Sequence, residues 1–261
     1  MGETPVRYRA RGFAPKTSAL ASTMTLIAVL AGWEIAARYM LINTTFLSTP
    51  ASIARTLAAL MASGELARHI AASLSRLAGG WLAGTTTGLA AGVVIALFTL
   101  ARSPGLAIVS AVFPVPKIAL VPLFIIWFGI GEGSKLFTVG FGVFFPTVIA
   151  TIAAIDAIPR GLIRMAQSFN LPWRAIVTKI ILPGALPAIL ASFRITAATA
   201  IILLVAAEMI GAERGIGAFV LQAGNLYDID ALMAGIAVLS ALGLAVAGLI
   251  TAAERLFLRW R

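Results

Sequence analysis

Long apolar stretches separated by short polar segments dominate the pattern of this chain. Because a membrane-spanning helix needs about 20 mostly apolar residues, six stretches qualify, at 19–37, 70–100, 106–126, 136–152, 186–209 and 231–253. The second is long enough to cross at a tilt or to begin outside the bilayer. The pattern predicts an all-α polytopic membrane protein, with an N-terminal segment 1–18 and a six-helix membrane domain 19–261.

The first stretch has an alternative interpretation as a cleaved signal peptide, because four basic residues precede it. However, the stretch leads into Trp33 and Glu34 without a clear small-x-small cleavage site, which favours an uncleaved first helix. The four basic residues are Arg7, Arg9, Arg11 and Lys16.

The distribution of Lys and Arg predicts the orientation, since cytoplasmic loops are enriched in basic residues. With a cytoplasmic N-terminus, the inside holds most of them: Arg7, Arg9, Arg11, Lys16, Arg102, Arg160, Arg164, Arg174, Lys179, Arg255, Arg259 and Arg261. The outside and the outer ends of the spans hold fewer: Arg38, Arg55, Arg68, Arg76, Lys135 and Arg214. Both termini are therefore predicted to lie in the cytoplasm, and the chain is expected in a bacterial inner membrane.

The composition excludes several kinds of site. Hydrophobic residues make up 60% of the chain and charged residues only 11%, whereas soluble domains carry about 25% charged residues. There is no Cys and a single His, His69, so thiolate and His-rich metal sites are excluded and no metal ligands are assigned. The net charge of +10 follows the membrane topology, and no basic cluster interleaved with aromatics indicates nucleic-acid binding.

Three local patterns predict packing. The second span carries Gly80, Gly84, Gly88 and Gly92, a spacing that lets another helix approach closely; a pathway wall is the alternative. The third span contains prolines that remove backbone donors and bend the helix, either as simple kinks or as kinks facing a water-filled path. Between the first two spans, an outer segment 43–69 predicts a surface helix with an apolar stripe. The prolines are Pro114, Pro116 and Pro122, and the stripe is Ile53, Leu57, Leu60 and Met61.

The inner loop at about 153–184 predicts a helix, a hinge and a second helix. Pro159 suits the first turn of a helix, and Asn170 suits the left-handed turn that ends it. Pro172 begins the second helix, with Trp173, Ile176, Val177 and Ile180 as its stripe, and Pro183-Gly184 is expected to break that helix before the fifth span. The first helix carries an apolar stripe of Leu162, Met165, Ala166 and Phe169, opposite Arg160, Arg164, Gln167 and Ser168. This stripe fits either lipid headgroups or a groove on a partner protein.

This loop resembles the signature loop of binding-protein-dependent ABC permeases, Glu-Ala-Ala, three residues, Gly, nine residues, Ile-x-Leu-Pro. Counting back from Ile180, Leu182 and Pro183 places the final Ala of the pattern at Ala166 and its Gly at Asn170. The Glu of the pattern falls at Arg164 and its first Ala at Met165, so the sequence departs from the pattern at Arg164, Met165 and Asn170.

The resemblance extends to the nitrate/sulfonate/taurine branch of these permeases and covers nearly the whole chain from Phe46 onward. It rests on ordered blocks at 118–123, 126–131, 134–135, 145–146, 182–187, 207–209 and 215–217. It implies a type I ABC importer permease fold with a cytoplasmic coupling helix. The implied partners are a second permease copy, a dimer of ATPases that bind the ATP, a periplasmic or lipid-anchored binding protein, and membrane lipids.

The resemblance and the residue pattern together give two sets of candidate residues. The ATPase-docking residues are Leu162, Arg164, Met165, Ala166, Phe169 and Asn170; the substrate-pathway residues are Lys117, Arg194, Thr196, Thr199 and Glu208. Lys117 and Arg194 favour a small anionic solute such as a sulfonate, taurine or nitrate, although both side chains are long enough to reach the headgroups instead. The polar side of the fifth span makes it the candidate for the axis of a homodimer, with a second, different permease as the alternative.

No catalytic residues or cofactor are assigned, because the sequence has no phosphate-binding Gly-rich loop with a Lys. The sequence disfavours two rival functions. An ion-driven secondary transporter is expected to show internal repeats and membrane-embedded carboxylates, and the sequence shows neither convincingly. A membrane enzyme is disfavoured by the absence of Cys and the single His.

Overall fold

The computed structural model describes residues 19–39 and 47–258, and it is built of helices throughout these ranges. The predicted N-terminal segment 1–18 lies outside the described residues. In chain order the helices are α1 Ala19–Arg38, α2 Pro50–Ala62, α3 Glu65–Leu97, α4 Thr99–Val112, α5 Val121–Phe128, α6 Glu132–Asp156, α7 Arg160–Ser168, α8 Trp173–Ile176, α9 Leu182–Gly211, α10 Ile216–Asn225 and α11 Ile229–Phe257. Five spans qualify as single helices, and the bent pair formed by α4 with 117–128 is the sixth candidate.

The glycine stripe of α3 packs directly against α6, as its spacing predicted. A Cβ atom on Gly84 would lie 2.3 Å from the carbonyl oxygen of Gly140, and one on Gly92 would lie 2.6 Å from Cβ of Thr151. Only glycine allows the two backbones to come this close. Residue numbers rise together along the contact, so α3 and α6 run parallel.

Parallel packing of α3 and α6 settles the role of the bent pair between them. The chain leaves α3 at the level where α6 ends and must return to the level where α6 begins. The segment that returns is α4, a 3₁₀ turn at Lys117–Leu120 and α5, with a bend of 85° between its two halves. This pair therefore crosses the same layer as its neighbours, which gives six crossings.

The prolines of this third span act differently from one another. Pro114 and Pro116 lie in the break between α4 and α5, where each removes a backbone donor. Pro122 lies in the first turn of α5, where no intrahelical partner for its nitrogen is needed, so the prediction that Pro122 bends the span is wrong.

The fifth span is longer than predicted, because the helix does not break at Pro183 and Gly184. Helix continues from Trp173 to Gly211, with a π-helical turn at Val177–Ile181 immediately before α9. Pro183 then falls in the first turn of α9. The wider π turn shifts the hydrogen-bond register, so the missing N–H of Pro183 does not stop the helix.

The outer segment forms α2, which begins at the Thr49 cap, where Oγ1 of Thr49 accepts a hydrogen bond from the backbone N–H of Ser52 at 3.1 Å. Its apolar stripe is only partly covered: Ile53 is buried and Leu60 packs against the cluster of Phe219, Ala223 and Ala231, whereas Met61 is exposed. At the centre of the fold, α6 lies between α3 and α9, and its Val139 and Val143 are fully buried.

Candidate functional site

The first candidate site is the loop between α6 and α9, where α7 projects from the end of the bundle. One side of α7 is fixed to the membrane domain. Ala166 is 2% exposed and packs in a cluster with Ile155, Ile176 and Ile181, to which Ile163 also belongs. This cluster joins the ends of α6 and α9 to the loop.

The face of α7 next to Ala166 is apolar and open. Leu162 is 44% exposed, Met165 52% and Phe169 74%. The predicted stripe is therefore divided, because three of its members face outward while Ala166 faces the interior of this same chain. Ala166 anchors α7 to the membrane domain, and its side chain is not available to an external partner.

Asn170 ends α7 as the sequence predicted, with a positive φ of 53°. The backbone N–H of Leu171 donates to the carbonyl of Ala166 at 3.1 Å, and that of Asn170 donates to the carbonyl of Gln167 at 2.9 Å. This is the Schellman arrangement, in which Asn is a tolerated substitute for Gly. The cap fixes the direction in which the chain leaves α7.

Arg164, which stands where the resemblance places a Glu, is exposed on α7. Within the described part of the chain, it makes no ion pair. Its side chain is therefore open to a partner from outside this chain.

A second polar site, not recognised in the sequence, lies at the other end of the bundle around Glu208. The carboxylate of Glu208 is completely buried and accepts hydrogen bonds from Nη1 of Arg76 at 2.9 Å, from Oγ of Ser73 at 2.8 and 2.9 Å, and from the backbone N–H of Gly217 at 2.9 Å. Arg76 also forms a two-point ion pair with Glu132 at 2.6 and 2.7 Å. These contacts join α3, α6, α9 and the start of α10.

The glycines before and within α10 make room for this carboxylate. Gly215 has φ of 139°, and a Cβ atom there would lie 2.3 Å from Cδ of Glu208. Nδ1 of His69 lies 3.1 Å from the backbone nitrogen and 2.9 Å from the carbonyl oxygen of Gly215. Because every oxygen of Glu208 is engaged, the site is a buried structural ion pair with matched hydrogen bonds.

The structure does not bring the five predicted pathway residues together. Thr196 is buried and its Oγ1 accepts a hydrogen bond from Nε1 of Trp81 at 3.1 Å, whereas Thr199 is partly exposed and donates to the carbonyl of Ile195. Glu208 lies in the buried cluster described above, at the end of the bundle away from α7. The polar side predicted for the fifth span is thus divided between different neighbours.

The two predicted pathway cations both have partners within the chain. Nζ of Lys117 bonds to the carbonyl oxygen of Phe113 and lies 4.8 Å from the centre of its ring. It thereby caps a carbonyl at the end of α4, where a positive charge is favourable. Arg194 forms an ion pair with Glu254 of α11.

Comparison with known proteins shows which transport proteins this chain is similar to. The family model described as "Binding-protein-dependent transport system inner membrane component" matches residues 84–259. The aliphatic sulfonates transport permease protein SsuC of Bacillus subtilis (strain 168) is 33% identical over 89% of this chain and 84% of its own length. The taurine transport system permease protein TauC of Escherichia coli (strain K12) is 35% identical over 83% of this chain and 80% of its own length.

Solved structures share the fold. An inward-facing structure of the MetNI methionine ABC transporter aligns with a TM-score of 0.65 at 22% identity, over 74% of this chain and 95% of the other. The crystal structure of an amino acid ABC transporter with histidines aligns with a TM-score of 0.61 at 16% identity, over 76% of this chain and 97% of the other.

Proposed function

The chain belongs to the family of binding-protein-dependent transport system inner membrane components. From that premise we propose that it carries a small anionic solute, and that an ATPase docked on the open face of α7 drives the transport. As a member of this family, it is a multi-pass membrane protein and the permease subunit of an ATP-binding cassette importer. In the proposed assembly a partner ATPase binds and hydrolyses ATP, the permease itself performs no catalysis, and a periplasmic or lipid-anchored binding protein delivers the solute.

The exposed apolar face of α7 carries the docking proposal. Leu162, Met165 and Phe169 are each at least 44% exposed, although burying such side chains is favourable by about 1.5–3 kcal/mol each. An apolar helix face held away from its own chain fits a groove on a partner. Family membership favours an ATPase groove over lipid headgroups as the surface that covers it, with Arg164 and Asn170 at its edge.

Charge placed on this face tests the docking. Phe169→Asp is expected to leave the amount of permease in the membrane unchanged, because the side chain makes no core contact, while copurification of the ATPase and solute uptake are lost. Gln167→Glu is the matched control, since it adds a negative charge to the polar side of the same helix. Normal copurification and uptake with Phe169→Asp would show that this face does not dock.

Ala166→Asp separates docking from folding. Because Ala166 is buried within the permease, an unpaired carboxylate there is expected to lower the amount of folded chain in the membrane. If Ala166→Asp accumulates normally and loses only the ATPase, then Ala166 contacts the partner directly.

The proposed substrate class is small sulfonates and related anions. Support comes from relatives at 33–35% identity that are named for aliphatic sulfonates or taurine, although a riboflavin transport permease at 29% identity is also related. Because Lys117 and Arg194 both have partners within this chain, we place selectivity chiefly in the binding protein. Titration of the cognate binding protein with sulfonates, nitrate, carboxylates and pyrimidines tests this assignment, and binding of pyrimidines alone would reject it.

The proposed orientation places both termini in the cytoplasm of a bacterial inner-membrane protein. Six crossings, with α2 and α10 on the outer side and α7 on the inner side, are consistent with the predominance of basic residues inside. An ion-driven transporter is the less favoured function. Its coupling would need a free carboxylate in the membrane, whereas Glu208 is held by Arg76.

A further inference from the structure

Two adjoining cavities lie where α6 ends and α7 begins, on the side of the membrane domain that carries α4. The first has a volume of about 370 Å³, and its polar part, which we call the mouth, is lined by Arg102, Asp156, Arg160 and Trp173. The second, of about 490 Å³, is a groove between α4 and α6. Asp156 lines both, so the two cavities border the same residue.

The groove is apolar and runs into the membrane layer. Its walls are formed by Leu106, Val109 and Phe113 of α4 and by Ile149 and Ile152 of α6. At 1.5 Å per residue, Ile149 lies about 10 Å deeper than Asp156, and Phe113 lies about 16 Å deeper than Arg102. Leu106, Phe113 and Ile149 are each more than a third exposed, so the groove is open to a molecule from outside the chain.

The mouth carries one uncompensated positive charge. Arg102 and Asp156 neutralise each other through two contacts, at 2.6 and 3.1 Å. Arg160, the first residue of α7, makes no ion pair among the described residues. The side chain of Trp173 is half exposed beside it, and Trp is enriched at membrane–water interfaces.

A basic mouth at the membrane surface beside an apolar groove is complementary in shape and charge to an anionic lipid. We propose that these cavities form a site for one anionic glycerophospholipid, with its phosphate at Arg160 and Arg102 and one acyl chain between α4 and α6. A singly charged phosphate diester matches the net charge of the mouth, and a free phosphate ion would leave the groove unfilled. Bound there, the lipid contacts the joint through which α7 is attached to α6.

This inference rests on the proposed orientation for the side of the membrane, but lipid binding is measured without transport, so each can fail alone. The full-length permease, purified with its ATPase, is exchanged into mixtures of phosphatidylglycerol and phosphatidylcholine with identical acyl chains, and retained lipid is measured by native mass spectrometry. Phosphatidylglycerol is expected to be retained preferentially. Equal retention of the two lipids would overturn the proposal.

Two variants separate the phosphate contact from the acyl-chain contact. Arg160→Gln is expected to lower retention of phosphatidylglycerol about fivefold, the usual effect of one basic residue near a membrane surface. Ala153→Phe fills the groove that Ala153 lines and is expected to lower retention of both lipids. The controls are Arg255→Gln and Ala252→Phe, matched changes on the exposed surface of α11 near the same membrane face, which are expected to have no effect.

Inorganic phosphate provides the last arm of the test. It is expected to displace little phosphatidylglycerol, because it cannot occupy the groove. If inorganic phosphate competes fully and Ala153→Phe has no effect, the site binds a free anion and the lipid assignment is wrong. If the α11 controls lower retention as much as the site variants do, the binding is nonspecific and the proposal is equally wrong.

Discussion

At the scale of single residues, the carboxylate of Glu208 is a fully buried charge that depends on its hydrogen-bond and ion-pair partners. Glu208→Ala leaves Ser73, the N–H of Gly217 and part of the Arg76 guanidinium without their acceptor. Removing one partner of a buried ion pair costs about 3–5 kcal/mol, so the thermal unfolding midpoint of the purified protein in detergent should fall sharply. Glu213→Ala, which removes an exposed acid from the same end of the bundle, is the control. Equal midpoints for the two variants would show that the cluster does not stabilise the fold.

Lys117 offers a residue-scale test of capping against a role in the substrate path. Lys117→Met removes the donor to the Phe113 carbonyl and should destabilise the bend by about 1 kcal/mol, the net value of one hydrogen bond. Lys117→Arg keeps both charge and donor and should restore stability. The measurement is again thermal unfolding, combined with solute uptake. If Lys117→Met loses uptake at unchanged stability, Lys117 acts on the solute and does not act as a cap.

The sequence predicted local residue features better than distant ones. Asn170 could be assigned because a left-handed helix end needs only a residue that tolerates positive φ. The Arg76–Glu208 pair could not, since its partners are 132 positions apart and neither has a local pattern. A charged residue within an otherwise apolar stretch was the available signal, because such a residue needs a partner. Ala166 belongs to the predicted stripe yet is buried within the chain, because a helical stripe does not show where its exposed edge lies.

At the scale of whole elements, the α3–α6 contact is the most tightly specified. Gly84→Ala places a methyl group 2.3 Å from a backbone carbonyl oxygen, and the helices must separate to accommodate it. We expect the free energy of unfolding to fall by about 1–3 kcal/mol or more, which is the usual cost of overpacking a well-packed contact. Gly248→Ala, on α11 with no atom within 4 Å, should be neutral or stabilising, since Ala favours helix. The comparison is made by thermal unfolding, and equal effects would contradict the close contact.

Element positions followed from hydropathy, but their internal irregularities did not. Six apolar stretches were enough to locate six crossings. The 85° bend in the third and the π turn before the fifth depend on where displaced backbone groups find partners, which hydropathy does not record. Proline marked both places, yet the same residue type breaks one helix at Pro114 and is carried within another at Pro183. Position in the hydrogen-bond register makes the difference.

At the scale of the whole molecule, we predict a homodimer with α9 at the shared axis. The polar residues first assigned to this face have partners inside the chain, but the open side of α9 is formed by Ile195, Ala198 and Ile202. The chain has no native cysteine, so single cysteines at these positions give cross-links without background. We expect cross-linked dimers from at least one of them and none from cysteine at Leu82, on the open face of α3. Cross-linking at Leu82 alone would place the axis elsewhere.

The continuous helix from Trp173 to Gly211 forms a rod that is longer than the membrane is thick. Its 39 residues extend about 58 Å, against about 30 Å for the hydrocarbon layer. One end is joined to the loop that carries α7 and the other to the Glu208 cluster. If the rod pivots near its middle by about 10°, its ends move about 5 Å in opposite directions. The pathway would then close at one membrane face and open at the other in a single movement, because both ends belong to the same helix. No separate signal would be needed to coordinate them.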